Sequence, residues 1–496
     1  MDDTFPKLLA SSPTRFGARK VAFREKNLGI WSQSTWQEYA DRVRLASLGL
    51  MELGLQRGDR FALIGSNKRE LFVLALAAQA TGATIVGVFQ DETPREVRSV
   101  LTQTGAALVL AEDQEQVDKL LSIKASVPQV RRVIYLEGRG MEYYDDALLL
   151  PFDQLIELGR GLLERSPDAF EANLALGSEG DPAVIAYSSG LTGEPRPVVL
   201  TYRNLLKLAE AWRSIDAFRP NDEYVSFVAP ASISELLVTL ALHLTTGFIV
   251  NFPESDSTIL EDLKEIGPHL VVAPNRFWET IVGTMRMKAQ ETSNLKRSAV
   301  NANLPSAERA AEARLKRGGP AARPGGLGNF LVFRPMRDSV GLLRTRLAFN
   351  VGGSLSPEAV TTLHAIGVPI RQIYGLTECG GIATMHRPDD IRLETVGQPF
   401  PEAEVQVAAN GEILLRGPSV FSGYFNETGA TAEVLRDGWL HTGDAGFLTE
   451  DNHLVVIDRL PAVLNLPDGT RFSAQSIETR LKLSPYIAEA VVIGQN

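Results

Sequence analysis

Two stretches of this chain, 71–89 and 236–252, run without a formal charge for nearly the length of a membrane span, yet the same punctuation interrupts both. Gln79-Ala80-Thr81-Gly82 breaks the first, and His243-Leu244-Thr245-Thr246-Gly247 breaks the second. An apolar segment, a Thr-Gly stop and a short apolar run read as a buried helix, its terminating glycine and a buried strand, at 83–88 and 248–251. Strands apolar on both faces belong to parallel sheets covered by helices. The repeated unit therefore predicts an α/β protein whose large N-terminal domain holds two stacked doubly wound, mostly parallel sheets.

The intervening pattern fits. Amphipathic spacing predicts a helix over 36–53 closed by Gly54, a strand over 60–66, a helix over 70–81, a helix over 93–104 begun by Pro94, and strands at 107–111, 131–136 and 270–274. Helical segments fill 145–181, and another helix opens at Asn275. At 288–328 the composition turns to Ala, Arg, Lys and Glu and ends in a Gly/Pro cluster, which reads as a helical insertion with a mobile loop. Its basic residues could meet phosphate or an anionic lipid surface, or simply face solvent.

A chain of 496 residues is too long for one core. Its net charge of −10 argues against a nucleic-acid surface. The single cysteine, Cys379, excludes an intrachain disulfide and a thiolate metal cluster, and fits a reducing cytoplasm. The N-terminus, Met-Asp-Asp-Thr-Phe-Pro-Lys, shows no basic region followed by an apolar one, so no signal peptide is expected.

Four motifs carry chemistry. In the first, Ser188, Ser189, Gly190, Thr192 and Gly193 follow the apolar run 183–187, and Arg196 follows them. Glycine tolerates positive φ and leaves backbone N–H groups and hydroxyls free to converge on a polyphosphate. No Gly-Lys-Ser/Thr follows, so it is not a P-loop, and a polar turn between strand and helix is the plain alternative. In the second, the strand 347–351 ends in Gly352, Gly353 and Ser354, where a flat ring can lie on backbone. In the third, Tyr374, Gly375, Thr377 and Glu378 emerge from a strand end, an aromatic to stack on a base and a carboxylate to hold Mg²⁺ through oxygen. Standing alone, Glu378 also reads as a helix-start acid. In the fourth, Thr442-Gly443-Asp444 reads as a turn whose carboxylate suits a vicinal diol. Arg459 follows as a cation near ribose or phosphate, or as half of a surface salt bridge.

Taken in order, these motifs resemble one family, the acyl-adenylate-forming (AMP-forming) acid–CoA ligases, and within it the bacterial long-chain fatty acyl-CoA synthetases. The resemblance runs from Thr35-Trp36 to Ile493. It implies a two-step reaction: MgATP and a fatty carboxylic acid give an acyl-adenylate and pyrophosphate, and coenzyme A then displaces AMP. The Ser/Gly loop, with Thr192, would hold the β,γ-phosphates. Glu378 would bind Mg²⁺, Thr377 the α-phosphate, Tyr374 with Gly352 and Gly353 the adenine, and Asp444 with Arg459 the ribose. Thr192, Thr377, Glu378 and Arg459 are the expected catalytic residues. The segment 340–347 and Trp278 lie where the family lines its acyl tunnel, though apolar residues there are equally ordinary core. Expected domains are an adenylate-forming body over 1–457, with a β-rich part at about 395–457, and the start of a small α+β C-terminal domain over 458–496. A cytoplasmic protein with peripheral membrane contact, forming a homodimer and binding no nucleic acid, completes the expectation.

Departures from the family pattern stand beside these matches. Arg196-Pro197 replaces Lys-Gly, Leu191 replaces a hydroxyl residue, and Tyr202 replaces a histidine. Pro461 occupies the hinge position, Ala462 replaces an acid, and the sequence as given ends at Asn496 without the family's C-terminal lysine. Two other readings follow from them: an acyl-AMP ligase that passes the acyl group to a carrier protein, and a nucleotide- or acyl-binding relative with impaired turnover.

Overall fold

In the computed structural model, both Thr-Gly stops end a helix. Arg69–Ala80 is capped at Thr81 and turns through Gly82 at φ 85°, and the second helix ends at Thr246 with Gly247 at φ 75°. Each leads into a fully buried strand, Thr84–Val88 and Ile249–Phe252. The second helix is not regular, since Ile233–Leu236 and His243–Thr246 flank a π-helical stretch, Leu237–Leu242. The structure describes residues 2–188, 195–322, 324–465, 471–474, 477, 478, 481, 487 and 489–492.

The chain divides into two units. The first comprises Met1–Arg213, Ala217–Asp262 and Phe421–Thr428. It contains an eight-stranded sheet in the spatial order Gly423–Tyr424, Pro197–Thr201, Pro182–Tyr187, Thr84–Val88, Arg60–Ile64, Leu108–Ala111, Arg132–Tyr135 and Leu149–Pro151. From Pro182–Tyr187 onward the pairs are parallel, and the first two pairs in that order are antiparallel. The connecting helices start where sequence chemistry allows. Trp36–Glu52 and Pro94–Thr104 each open with a threonine whose hydroxyl accepts from the N3 backbone while the N3 glutamate reaches back. A second strand group of this unit places Val21–Asn27 parallel to Ile249–Phe252 and antiparallel to Ile30–Thr35.

The second unit comprises Ser214–Asp216, Leu263–Val420 and Gly429–Asn496. Leu270–Pro274, Leu347–Val351 and Ile370–Tyr374 run parallel, and Thr384–Met385 and Gln398–Pro399 extend them antiparallel. Between Glu404 and Arg459 a five-stranded antiparallel sheet is built around Trp439–Leu448. The insertion forms the helix Asn294–Leu315, with Pro305 inside it. The architecture is thus α/β with mixed, largely parallel sheets.

Candidate functional site

In the first unit the Ser/Gly loop joins two strands. Pro182–Tyr187 leads in, and Pro197–Thr201 returns antiparallel with Pro197 opposite Tyr187. The Ser188 N–H donates to Arg196 O at 3.0 Å across the mouth of the hairpin. This corrects the expected strand-to-helix turn: the helix Tyr202–Ile215 begins only after the second strand. That strand opens on proline, which has no N–H for the ladder and is tolerated at a first position, so the sequence hides it. Ser188 is buried, while Ser189, Gly190, Leu191, Thr192 and Gly193 lie outside the described residues. Arg196 is engaged within the unit, its Nη1 2.9 Å from Glu427 Oε2 and its guanidinium 5.5 Å from the centre of the Tyr424 ring. Tyr202 is buried against the edge of Phe5.

The other candidates lie in the second unit, at the carboxyl ends of its parallel strands. Leu347–Val351 runs into Gly352 and Gly353, at φ 72° and 147°. The Asn350 side-chain amide donates to Gly353 O at 2.6 Å and fixes that turn. A methyl group on Gly352 would meet nothing within 4 Å, and Ser354 is exposed, so this strand end is open. Gln372, which sequence reasoning passed over, ties the turn to the next strand: its Oε1 accepts from Leu355 N at 2.8 Å, and its Nε2 donates to Thr395 O at 3.0 Å.

After Tyr374 the chain doubles back on itself. Ala383 N donates to Tyr374 O at 2.7 Å and Gly381 N to Leu376 O at 2.9 Å. A Cβ on Gly375 would lie 2.4 Å from the Gly381 backbone, so only glycine fits. Thr377–Cys379 forms a 3-10 turn in which Glu378 is 2% exposed. Cys379 is equally buried, and burial pushes its thiol up to about 12, which leaves it a packing residue.

Asp444 does not sit in a turn. The strand Trp439–Leu448 runs straight through Thr442-Gly443-Asp444, with Gly443 at φ 66° and an irregularity in the pairing after Ala445. The left-handed glycine gives the sequence its turn-like look; in the sheet it re-aims the carboxylate. Thr442 Oγ1 donates to Ile413 O at 2.7 Å and accepts from Asp444 N at 3.1 Å. Glu412, a residue with no motif around it, holds the segment from the neighbouring strand. Its Oε1 accepts from Gly443 N at 3.1 Å, and its Oε2 lies 3.0 Å from His441 Nδ1.

Three candidates meet here. The Tyr374 hydroxyl donates to Asp444 Oδ2 at 2.8 Å, and Arg459, opposite Asp444 in the antiparallel register, brings Nη1 to 3.1 Å from Oδ1. Burial raises the Asp444 carboxyl above its ordinary range, against the opposing pull of Arg459 and the Tyr374 hydrogen bond. Burial, reinforced by Asp444, also drives the Tyr374 phenol upward, so it stays a donor. Trp278 is fully buried and shares its indole N–H between Ala273 O and Phe349 O, each at 3.2 Å, as a core residue does. Among the described residues no group of three or more His, Cys, Asp or Glu is arranged to hold a metal ion. A single carboxylate, Glu378, remains as the candidate.

Comparison with known proteins gives a consistent result. Residues 9–425 match the family model described as AMP-binding enzyme. The chain is 30% identical over 471 residues to the long-chain-fatty-acid–CoA ligase FadD15 of Mycobacterium bovis, covering 94% of this chain and 76% of that protein. It is 29% identical over 520 residues to the long-chain-fatty-acid–CoA ligase ACSBG2 of Rattus norvegicus, covering 99% and 75%. Among solved structures it superposes on the anthranilate CoA ligase AuaEII in complex with anthranoyl-AMP with a TM-score of 0.75 at 19% identity, covering 99% of this chain and 83% of that one. The ATP-bound MatB of Rhodopseudomonas palustris gives 0.73 at 19% identity, covering 100% and 86%. At such identities the structural likeness speaks to the fold.

Proposed function

We propose, from the premise that this chain belongs to the AMP-binding enzyme family, that it activates a fatty carboxylic acid with ATP and transfers the acyl group to coenzyme A. In the first step a carboxylate oxygen attacks the α-phosphorus, the bond to the β-phosphate oxygen breaks, and pyrophosphate leaves. In the second, the sulfur of coenzyme A attacks the acyl carbon, the thiol proton is lost, and the C–O bond to AMP breaks. A carboxylate is a poor electrophile until its oxygen becomes part of a good leaving group, so the protein's share is positioning and charge neutralisation.

The observation that carries this reading is the Tyr374–Asp444–Arg459 chain. Three residues from separate motifs join a phenol, a buried carboxylate and a guanidinium, and the carboxylate is an acceptor suited to a ribose diol with an aromatic beside it. The assigned roles follow. Asp444 and Arg459 hold ribose, and Tyr374 with Gly352 and Gly353 flanks adenine, with Ser354 and Gly375 shaping the strand ends. Thr377 contacts the α-phosphate. Ser188, Ser189, Gly190, Thr192, Gly193 and Arg196 form the loop for the β,γ-phosphates. Glu378 would hold Mg²⁺ through a hard carboxylate oxygen, and the ion would supply charge neutralisation there. Residues 1–457 would form the adenylate-forming body and 458–496 the beginning of a smaller domain.

Incubating the protein with MgATP and a panel of carboxylic acids, with and without coenzyme A, tests the reading. Acyl-AMP and pyrophosphate without coenzyme A, and acyl-CoA with it, are expected. The absence of both products for every acid overturns it. Acyl-AMP that a carrier-protein thiol accepts and coenzyme A does not would reassign the second step. A slower enzyme is the second reading, favoured by the Arg196–Glu427 pair, which occupies the loop's one cation. If so, Glu427→Gln raises the rate of pyrophosphate release.

A further inference from the structure

Inside the second unit a polar chain leads away from the candidate site through residues that no motif marks. His386 follows the short strand Thr384–Met385, and His453 lies in the hairpin between Trp439–Leu448 and Leu454–Arg459. The backbone of 395–397 runs between them. Val396 N donates to Leu454 O at 2.9 Å, and Leu454 N donates to Gly397 O at 2.8 Å. A Cβ on Gly397, at φ 85°, would lie 2.0 Å from the Met385 carbonyl carbon, so glycine lets this segment press against the residue that precedes His386. The packing sets the Thr395 hydroxyl between two buried imidazoles whose ring centres are 6.0 Å apart.

The donors and acceptors fix where the protons lie. Gln372 N–H donates to His386 Nδ1 at 3.1 Å, so that nitrogen is bare. Burial pushes the His386 pKa down to about 3, so the ring is neutral and its one N–H sits on Nε2. That N–H donates to Thr395 Oγ1 at 2.8 Å. The Thr395 hydroxyl in turn has His453 Nδ1 at 3.1 Å and Arg392 O at 3.3 Å before it. On its far side His453 Nε2 lies 2.9 Å from Asp390 Oδ2. Burial raises the Asp390 carboxyl, but its hydrogen bonds to Arg392 and His453 outweigh that and hold it below its ordinary value. A carboxylate only accepts, so His453 carries a proton on Nε2. Every ring nitrogen in the chain has a partner, as buried polar groups require.

The chain ends on Gln372, which it grips twice. His386 takes the backbone N–H, and Thr395 O accepts from the side-chain Nε2 at 3.0 Å. The remaining atom of that carboxamide, Oε1, accepts from Leu355 N and so ties down the turn that precedes it. We infer that His386, Thr395 and His453 are positioning residues for nucleotide binding, which hold Gln372 so that its carboxamide sets the Gly352-Gly353-Ser354 turn where adenine is received. A binding surface made of backbone is only as well placed as the side chains that orient it, and a carboxamide held at both ends has one orientation left. This role rests on the assignment of that turn to adenine, and it names what fixes the turn.

Calorimetric titration with ATP, beside steady-state kinetics with MgATP, a fatty acid and coenzyme A, tests it. Thr395→Val keeps the shape of the side chain and deletes the hydroxyl. It should weaken ATP binding and raise the KM for ATP by about tenfold, while the KM for the fatty acid stays within about twofold. Thr395→Ser restores the hydroxyl and should bring ATP affinity back to within about twofold of the parent. A residue that served only the stability of the fold would lower the melting temperature and leave the folded protein's affinity for ATP as it was. Parent-like ATP affinity in Thr395→Val therefore overturns the role, as does a Thr395→Ser that recovers none of the loss. Imidazole spectra of the unaltered protein with nitrogen-labelled histidine need no variant to fold. His386 should carry its proton on Nε2 and none on Nδ1, and His453 should carry one on Nε2; a proton on His386 Nδ1, or a bare Nε2 on His453, breaks the chain and overturns the role. A parent that binds no ATP overturns the adenine assignment and this role with it, whereas a parent and a Thr395→Val that bind ATP equally overturn the positioning alone.

Discussion

The Tyr374 hydroxyl donates to Asp444 Oδ2 at 2.8 Å across 70 residues of sequence, and this bond leaves Asp444 with one oxygen facing Arg459. Removing the hydroxyl with Tyr374→Phe keeps the aromatic face and deletes one charge-assisted bond to a buried carboxylate. ATP affinity should fall about fivefold to tenfold, near 1 kcal/mol, by calorimetry. An unchanged affinity would separate Asp444 from nucleotide binding.

Acid sensitivity of nucleotide binding should trace to Asp444. Burial raises its carboxyl, so it loses its charge at a higher pH than an ordinary aspartate, and Arg459 opposes that rise. ATP affinity should therefore decline as pH falls through the raised value. In Arg459→Ala the opposing cation is gone and the decline should begin at still higher pH; in Asp444→Asn this limb should be absent. The dissociation constant measured across pH in the three proteins decides it.

Much of the fold was legible because its signals are local. Thr-Gly stops, the helix begun by Pro94 and all-apolar strands are written in consecutive residues, and the structure has them within a residue or two of where the sequence puts them. The failures are non-local. Pro197–Thr201 is a strand because Pro182–Tyr187 and Gly423–Tyr424 flank it, over a proline that reads as a break. Asp444 sits in a strand because Glu404–Val407, Glu412–Arg416 and Leu454–Arg459 build the sheet around it, over a glycine that reads as a turn. Glu412 and Gln372 position the candidate site through contacts 31 and 17 residues away, and no pattern in their own neighbourhoods marks them.

Gly375→Ala probes whether the doubled-back segment is as tight as it looks. The added methyl would lie 2.4 Å from backbone atoms of Gly381, which cannot rotate out of the way as a side chain can. The cost should be on the order of 2 to 3 kcal/mol, by the scale of overpacked interiors, and should appear as a lowered melting temperature together with weakened ATP binding. A variant that melts with the parent would show that the segment moves freely.

The last prediction concerns a buried acid in the first unit. Glu235, 1% exposed, accepts from Tyr224 Oη and Ser226 Oγ, each at 2.6 Å, and Asn67 donates to Ser226 at 2.7 Å. Burial pushes its carboxyl up to about 8, against the pull of those hydrogen bonds. A carboxyl raised in the folded state binds more protons there than in the unfolded chain, so its contribution to stability is complete below the ordinary value near 4.5 and is lost as pH rises toward 8. The protein should lose a few kcal/mol, in order of magnitude, between mildly acidic and mildly basic pH through this group alone. Glu235→Gln is neutral throughout and should flatten that slope, so that its melting temperature, compared with the parent's, gains ground steadily as pH rises. Parallel melting curves for the two proteins across that range would mean that Glu235 is charged in the fold.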